Sequence, residues 1–203
     1  MSELIKYRLK LICLLVLTLF SSSLVANMSV AEDDEYLVDT ETFEIPGHGE
    51  LILKVPRIWN YNFTKVDEQT PPLITFYVLD KNKREIFQLN MSIFINTGYN
   101  KNITDIDYIH SLVFTAGKNI LPHSDENELL MMELSGKQGK GFFFDLSDRD
   151  AAAEEYKFLT QGAIALQNVL LVFSLFSNEE QGILREALLT TVKSARHIDR
   201  EDI

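Results

Sequence analysis

Beyond residue 13 the sequence has no cysteine. Cys13 lies inside an apolar N-terminal run, so whatever follows that run has no disulfide, no thiol nucleophile and no thiolate ligand. Its stability must come from a packed core. Positive charge is also scarce: 19 basic residues stand against 30 acidic ones, a net charge of −11. That balance excludes a nucleic-acid binder, whose affinity comes largely from cations on phosphates, and discourages docking on anionic lipid. Tryptophan occurs once, at Trp59, and histidine four times, at 48, 110, 123 and 197. No two histidines stand in an H-x-x-x-H or H-E-x-x-H arrangement, so no zinc site is expected. There is no G-x-S-x-G, and Gly136-x-x-Gly139-x-Gly141 lacks both the dinucleotide spacing and the Lys and Ser/Thr of a phosphate loop. It reads as a hairpin turn.

The N-terminus is a targeting segment. Lys6, Arg8 and Lys10 precede ten apolar-rich residues, 11–20, a run too short for a bilayer, which takes about 20 residues. Two cleavage points fit, after Ala26 or after Ala31. Cys13 has further apolar core behind it and no small residues before it, so it is not a lipidation cysteine. No second apolar run of membrane length follows. Removal of this segment leaves 16 basic and 29 acidic residues, a net charge of −13. After a short acidic lead-in, Glu32 to Glu35, residues 37–198 are ample for a single domain.

Along that domain the signals are mainly those of strands. Phe43–Pro46 and Leu51–Pro56 flank Gly47-His48-Gly49 as a hairpin, and Trp59 caps the core where the chain turns. Tyr61–Val66, Leu73–Leu79 and Ile86–Ile95 follow, the last with Leu89, Met91, Ile93 and Ile95 on one face. A helix is expected over 104–116, with Thr104 and Asp107 as a capping box and Gly117 closing it. Strands at Leu129–Leu134 and Gly141–Leu146 then bracket the glycine-rich turn. Residues 155–167 read as strand, because alternation holds from Tyr156 to Leu166 and Gly162 is costly in a helix. Val169–Phe176 is apolar nearly throughout, as in a central strand. A last helix opens with Ser177 as cap and carries Ile183, Leu184, Ala187, Leu188, Thr191, Val192 and Ala195 on one face, with Lys193, Arg196 and His197 at its end. The fold class is α+β, a mainly antiparallel sheet flanked by helices.

Asp145, Asp148 and Asp150 approach a calcium-loop spacing, but the required glycine and terminal glutamate are missing. Asn62, Asn90 and Asn102 head glycosylation sequons. Three residues mark a candidate binding surface: Trp59, His110 on a helix flank, and His123 beside Asp125, Glu126 and Glu128.

Ile45-Pro46-Gly47, Val55-Pro56-Arg57-Ile58-Trp59, Tyr156-Lys157-Phe158 and Val192-Lys193-Ser194-Ala195-Arg196, in this order of elements, resemble the PsbP-like superfamily over residues 41–197. The resemblance implies an antiparallel α/β/α sandwich. It also implies a mostly non-enzymatic role, as in extrinsic subunits of larger assemblies, small binding factors and exported bacterial proteins similar to DcrB. No site residue is carried over from it, and the missing lipobox departs from lipoprotein relatives. The expectation is an exported, periplasmic or secreted, non-catalytic protein that binds an unidentified protein partner, with no cofactor. Two alternatives stand beside it. One is a small-ligand carrier with a pocket lined by Trp59, Phe142 or Phe144. The other is a hydrolase with a dispersed His/acid site at His110 or His123.

Overall fold

Alternation at period two builds most of the protein. The computed structural model describes residues 37–65, 71–96, 103–152, 155–178 and 182–200; the N-terminal targeting segment and its cleavage points lie outside them. Seven strands form one antiparallel sheet in the order β3 (Asn60–Thr64), β4 (Leu73–Leu79), β5 (Glu85–Ile95), β9 (Val169–Ser177), β8 (Phe158–Leu166), β7 (Lys140–Ser147) and β6 (Met132–Ser135). The apolar run at 169–177 is the central strand, as its composition requires. It joins β8 through Gln167-Asn168, with Leu166 paired to Val169 and Gln167 at φ 52°. A smaller sheet, β1 (Val38–Glu44), β2 (Glu50–Pro56) and β10 (Arg196–Ile198), is also antiparallel.

The small sheet and helix α2 (Ile183–Ser194) cover one face of the large sheet. Ile74, Phe76, Leu89, Met91, Ile93 and Phe173 meet Leu51, Leu53, Leu188 and Val192 there in one continuous core. Each such side chain contributes about 1.5–3 kcal/mol when fully buried. Helix α1 (Ile106–Ile120) covers part of the other face, packing Ile109 and Val113 on Phe144, Leu146, Ala163 and Leu170. The α+β sandwich expected from the sequence is thus present.

Several local expectations are corrected. The cap of α1 is Asp105, whose carboxylate accepts from the backbone N–H groups of Asp107 and Tyr108 at 2.9 and 3.2 Å. Gly117 does not end this helix. It sits buried within it because Leu129 packs where its side chain would be, 2.6 Å from an added Cβ. A short 3₁₀ turn, Leu121–His123, follows, and β6 begins only at Met132. Ser177 does not cap the last helix: it is the final residue of β9, paired with Phe87 and Phe158. Gly182 is the N-cap instead, with no side-chain cap bond. The chain also leaves α2 two residues before Arg196, so Arg196 and His197 are strand residues, paired with Ile52 and Leu51. Gly49 is what lets β10 in. Its φ is +84°, and an added Cβ would lie 2.0 Å from the Ile198 carbonyl.

Candidate functional site

The three sequence candidates are not brought together. Trp59, only 7% exposed, packs on Phe76 and Phe87 in the core under the small sheet. That corrects its place in a binding surface. His110 lies on α1, over the opposite face of the large sheet, and is exposed. His123 is exposed in the 3₁₀ turn after α1, where its carbonyl accepts from the Arg149 N–H at 3.0 Å. The three aromatics suggested for a pocket separate likewise. Phe144 is fully buried beneath α1, Phe142 is half-buried, and Trp59 is on the other side of the sheet.

Around His110 the geometry is more informative. Ile106, His110, Phe114 and Lys118 recur every four residues, so they form one row along the outside of α1. The His110 ring stacks parallel to Phe114, 9° between planes and 6.1 Å between centroids, and stands edge-on to Phe142 at 4.8 Å. The Lys118 ammonium lies 5.5 Å from the centre of the Phe114 ring. Phe114 remains 39% exposed and Ile106 41%. The seat of Leu129 on Gly117 carries the chain to Leu130, which is 64% exposed. The row is therefore aromatic and aliphatic, ends in a cation, and faces solvent. His110 has two phenylalanines against its ring.

The charged groups elsewhere fasten loops. Arg185 pairs with Asp145 at 2.8 Å, Thr160 donates to the same carboxylate at 2.6 Å, and the guanidinium stands 5.3 Å from the Phe143 ring centre. Burial works against the Arg185 charge, but the hydrogen bond and charge of Asp145 outweigh it and raise its pKa. Glu126 is half-buried. Burial alone would raise its pKa, yet the Ser147 backbone N–H and hydroxyl both donate to it, at 3.0 and 2.7 Å, and the net result is a lowered value. Lys157 and Asp125 pair at 2.9 Å, and this bond holds Asp125 below and Lys157 above their ordinary values. Arg149 donates to the Ser124 carbonyl.

The acids near calcium-loop spacing diverge. Asp145 is taken by Arg185 and Thr160, and Asp148 accepts from the Asp150 N–H in its own turn. Among the described residues no group of three or more His, Cys, Asp or Glu could hold a metal ion. Of the sequons, Asn102 lies outside the described residues, Asn62 is exposed on β3, and Asn90 is half-buried in β5. An open cleft of about 410 Å³ lies beside Glu44, Gly49, Glu50 and Arg200, with Lys65 paired to Glu44 at 2.7 Å on the same edge. No helix of the described residues is long and apolar enough to cross a membrane.

Comparison with solved structures decides the fold. The solution structure of cyanobacterial PsbP from Synechocystis sp. superposes with a TM-score of 0.53 at 14% identity, over 86% of this chain and 99% of that one. The chain has a PsbP-like fold. A crystal structure from Bacteroides thetaiotaomicron is similar at a TM-score of 0.43 and 10% identity, over 74% of this chain and 46% of that one. No protein-family model and no curated protein sequence matches the chain. At such identity the likeness speaks for the PsbP-like architecture alone.

Proposed function

We propose that this is an exported, non-catalytic binding protein that contributes to an assembly by docking a protein partner on the outer row of α1. The observation that carries the reading is the exposed Ile106–His110–Phe114 row beside Phe142. A helix that already buries Ile109 and Val113 against the sheet has no structural need for aromatic side chains on its outer side. Contiguous exposed aromatic and aliphatic groups mark contact surfaces, and aromatic residues supply most of the energy at such sites. Export is supported by the basic, apolar N-terminal segment.

The test is site-specific photocrosslinking in the native organism, with the photoreactive residue at Phe114, or at Glu85 on the far part of the sheet as control. A discrete adduct from position 114 that is absent from position 85 supports the proposal. Equal adducts from both positions, or none from 114, contradict it.

A further inference from the structure

We propose that this face of the large sheet, from β3 across to the part of β8 beside α1, binds an uncharged, polyhydroxylated ligand, a neutral carbohydrate chain, along a row of amide and hydroxyl side chains. The register is the starting point. Asn62 is opposite Thr75, Thr75 opposite Asn90, Asn90 opposite Ser174, and Ser174 opposite Gln161. Side chains on one face of a sheet stand in such rows, so these five form a single line across five strands. They share their face with Phe144 and Ala163 and hence with α1, which packs on β7 and β8 and leaves β3, β4 and β5 to other neighbours.

The part of this face on β3, β4, β5 and β9 carries little charge among the described residues. Apart from Glu85, opposite Leu79 at the bulged end of β5, its residues there are asparagine, glutamine, serine, threonine, aromatics and aliphatics, in a chain that is 24% charged. A sheet face turned to water ordinarily carries Lys, Arg, Asp or Glu. Neutral donors and acceptors in their place match a ligand that is itself neutral. Phosphate or carboxylate ligands would want cations, and a protein partner would want Trp, Arg or Met anchors.

The polar groups are also primed for an outside partner. Asn90 Oδ1 already accepts from Thr75 Oγ1 at 2.9 Å and from Gln88 Nε2 at 3.1 Å, which turns the Asn90 –NH₂ donors to other acceptors. Gln161 is 7% exposed, and its Oε1 is buried with no hydrogen-bond partner among the described residues. Such an orphan acceptor costs about 1–3 kcal/mol, so it calls for an explanation. Tyr77 and Phe176 flank the row on one side, in register with Gln88, and Tyr156 lies 6.3 Å behind Phe176. Sugar hydroxyls both donate and accept, as this row requires. The C–H face of a pyranose ring packs on aromatic rings such as these, and strand spacing of about 4.8 Å is comparable with the repeat of a linear sugar chain.

The test titrates maltohexaose, cellohexaose and chitohexaose into the ¹⁵N-labelled protein, with oligogalacturonate as the charged control, and follows the side-chain amide signals of Asn90 and Gln161. One neutral oligosaccharide is expected to shift both signals saturably. Asn90→Leu should weaken binding at least tenfold. Gln161→Leu should also weaken binding at least tenfold while raising the melting temperature, because it removes the orphan oxygen. A purely structural glutamine would not couple those two effects. The proposal is overturned if no neutral oligosaccharide gives a saturable shift, if oligogalacturonate shifts these signals equally, or if both variants bind as the parent does. None of these results bears on the α1 row, which is separately tested at Phe114.

Discussion

His197 Nε2 lies 2.6 Å from the carbonyl oxygen of His48. A carbonyl only accepts, so this nitrogen carries the proton and donates it, joining the end of the domain to the first hairpin turn. The same residue is held through its backbone, since its N–H donates to Gln138 Oε1 at 2.5 Å and its carbonyl accepts from Gln138 Nε2 at 3.0 Å. Three distant segments therefore meet at one residue, which is 1% exposed. His197→Ala removes a buried bond and leaves a cavity, and should lower unfolding stability by about 3 kcal/mol in urea titrations. Amide exchange in β10 should speed up more than exchange in β9.

The Arg185–Asp145 pair joins α2 to the centre of β7 with both side chains largely shielded from water. Asp145→Ala leaves the guanidinium over Phe143 with only the more exposed Glu186 carboxylate, 2.7 Å away, as counter-charge, which should cost about 2 kcal/mol. Asp145→Ala combined with Arg185→Met should recover part of that loss, as a double-mutant cycle would record.

Acid should act partly through Glu126. Its pKa is lowered in the folded protein, so the stability it contributes is present above its unfolded value and is lost as pH falls through the folded one. Below about pH 4.5, the ordinary value for this group, the parent protein should lose stability faster than Glu126→Gln. Thermal unfolding of both at pH 6 and pH 3.5 checks the sign. A parent curve that falls no faster than the variant's contradicts it.

Gly162 is a strand glycine with no room for a side chain. An added Cβ would lie 2.4 Å from the Phe142 carbonyl oxygen and 2.6 Å from the Phe143 Cβ. Gly162→Ala should therefore destabilise by about 2 kcal/mol or more, despite alanine's lower conformational entropy in the unfolded chain. Calorimetry of the variant is the measurement.

What could be read from the sequence follows from how local each signal is. The central strand at 169–177 carries its burial in its own residue types, and alternation marked 158–166 as a strand, although residues 160–164 are buried on both faces. Strand β10 was not, because Arg196-His197-Ile198 is a strand only through its pairing with Glu50 to Ile52, far away in the chain. Gly117 looked like a helix end because glycine favours such positions, and only the Leu129 contact shows why the helix runs through it. Ser177 offered a cap, but the sheet claimed it first. His110 was recognisable as a helix-flank residue, whereas its stacking with Phe114 and Phe142 needed the fold. The polar row was invisible in one dimension, since residues 62, 75, 90, 161 and 174 become neighbours only through register.

The central claim is that the outer row of α1 is the docking surface. Photocrosslinking from Phe114 in the native organism tests it most directly, repeated with His110→Ser in the same chain. The prediction is a discrete adduct at 114 that falls at least tenfold with His110→Ser while the melting temperature stays within a few degrees of the parent's. No adduct at 114, or an adduct indifferent to His110 and matched by one from Glu85, would contradict it.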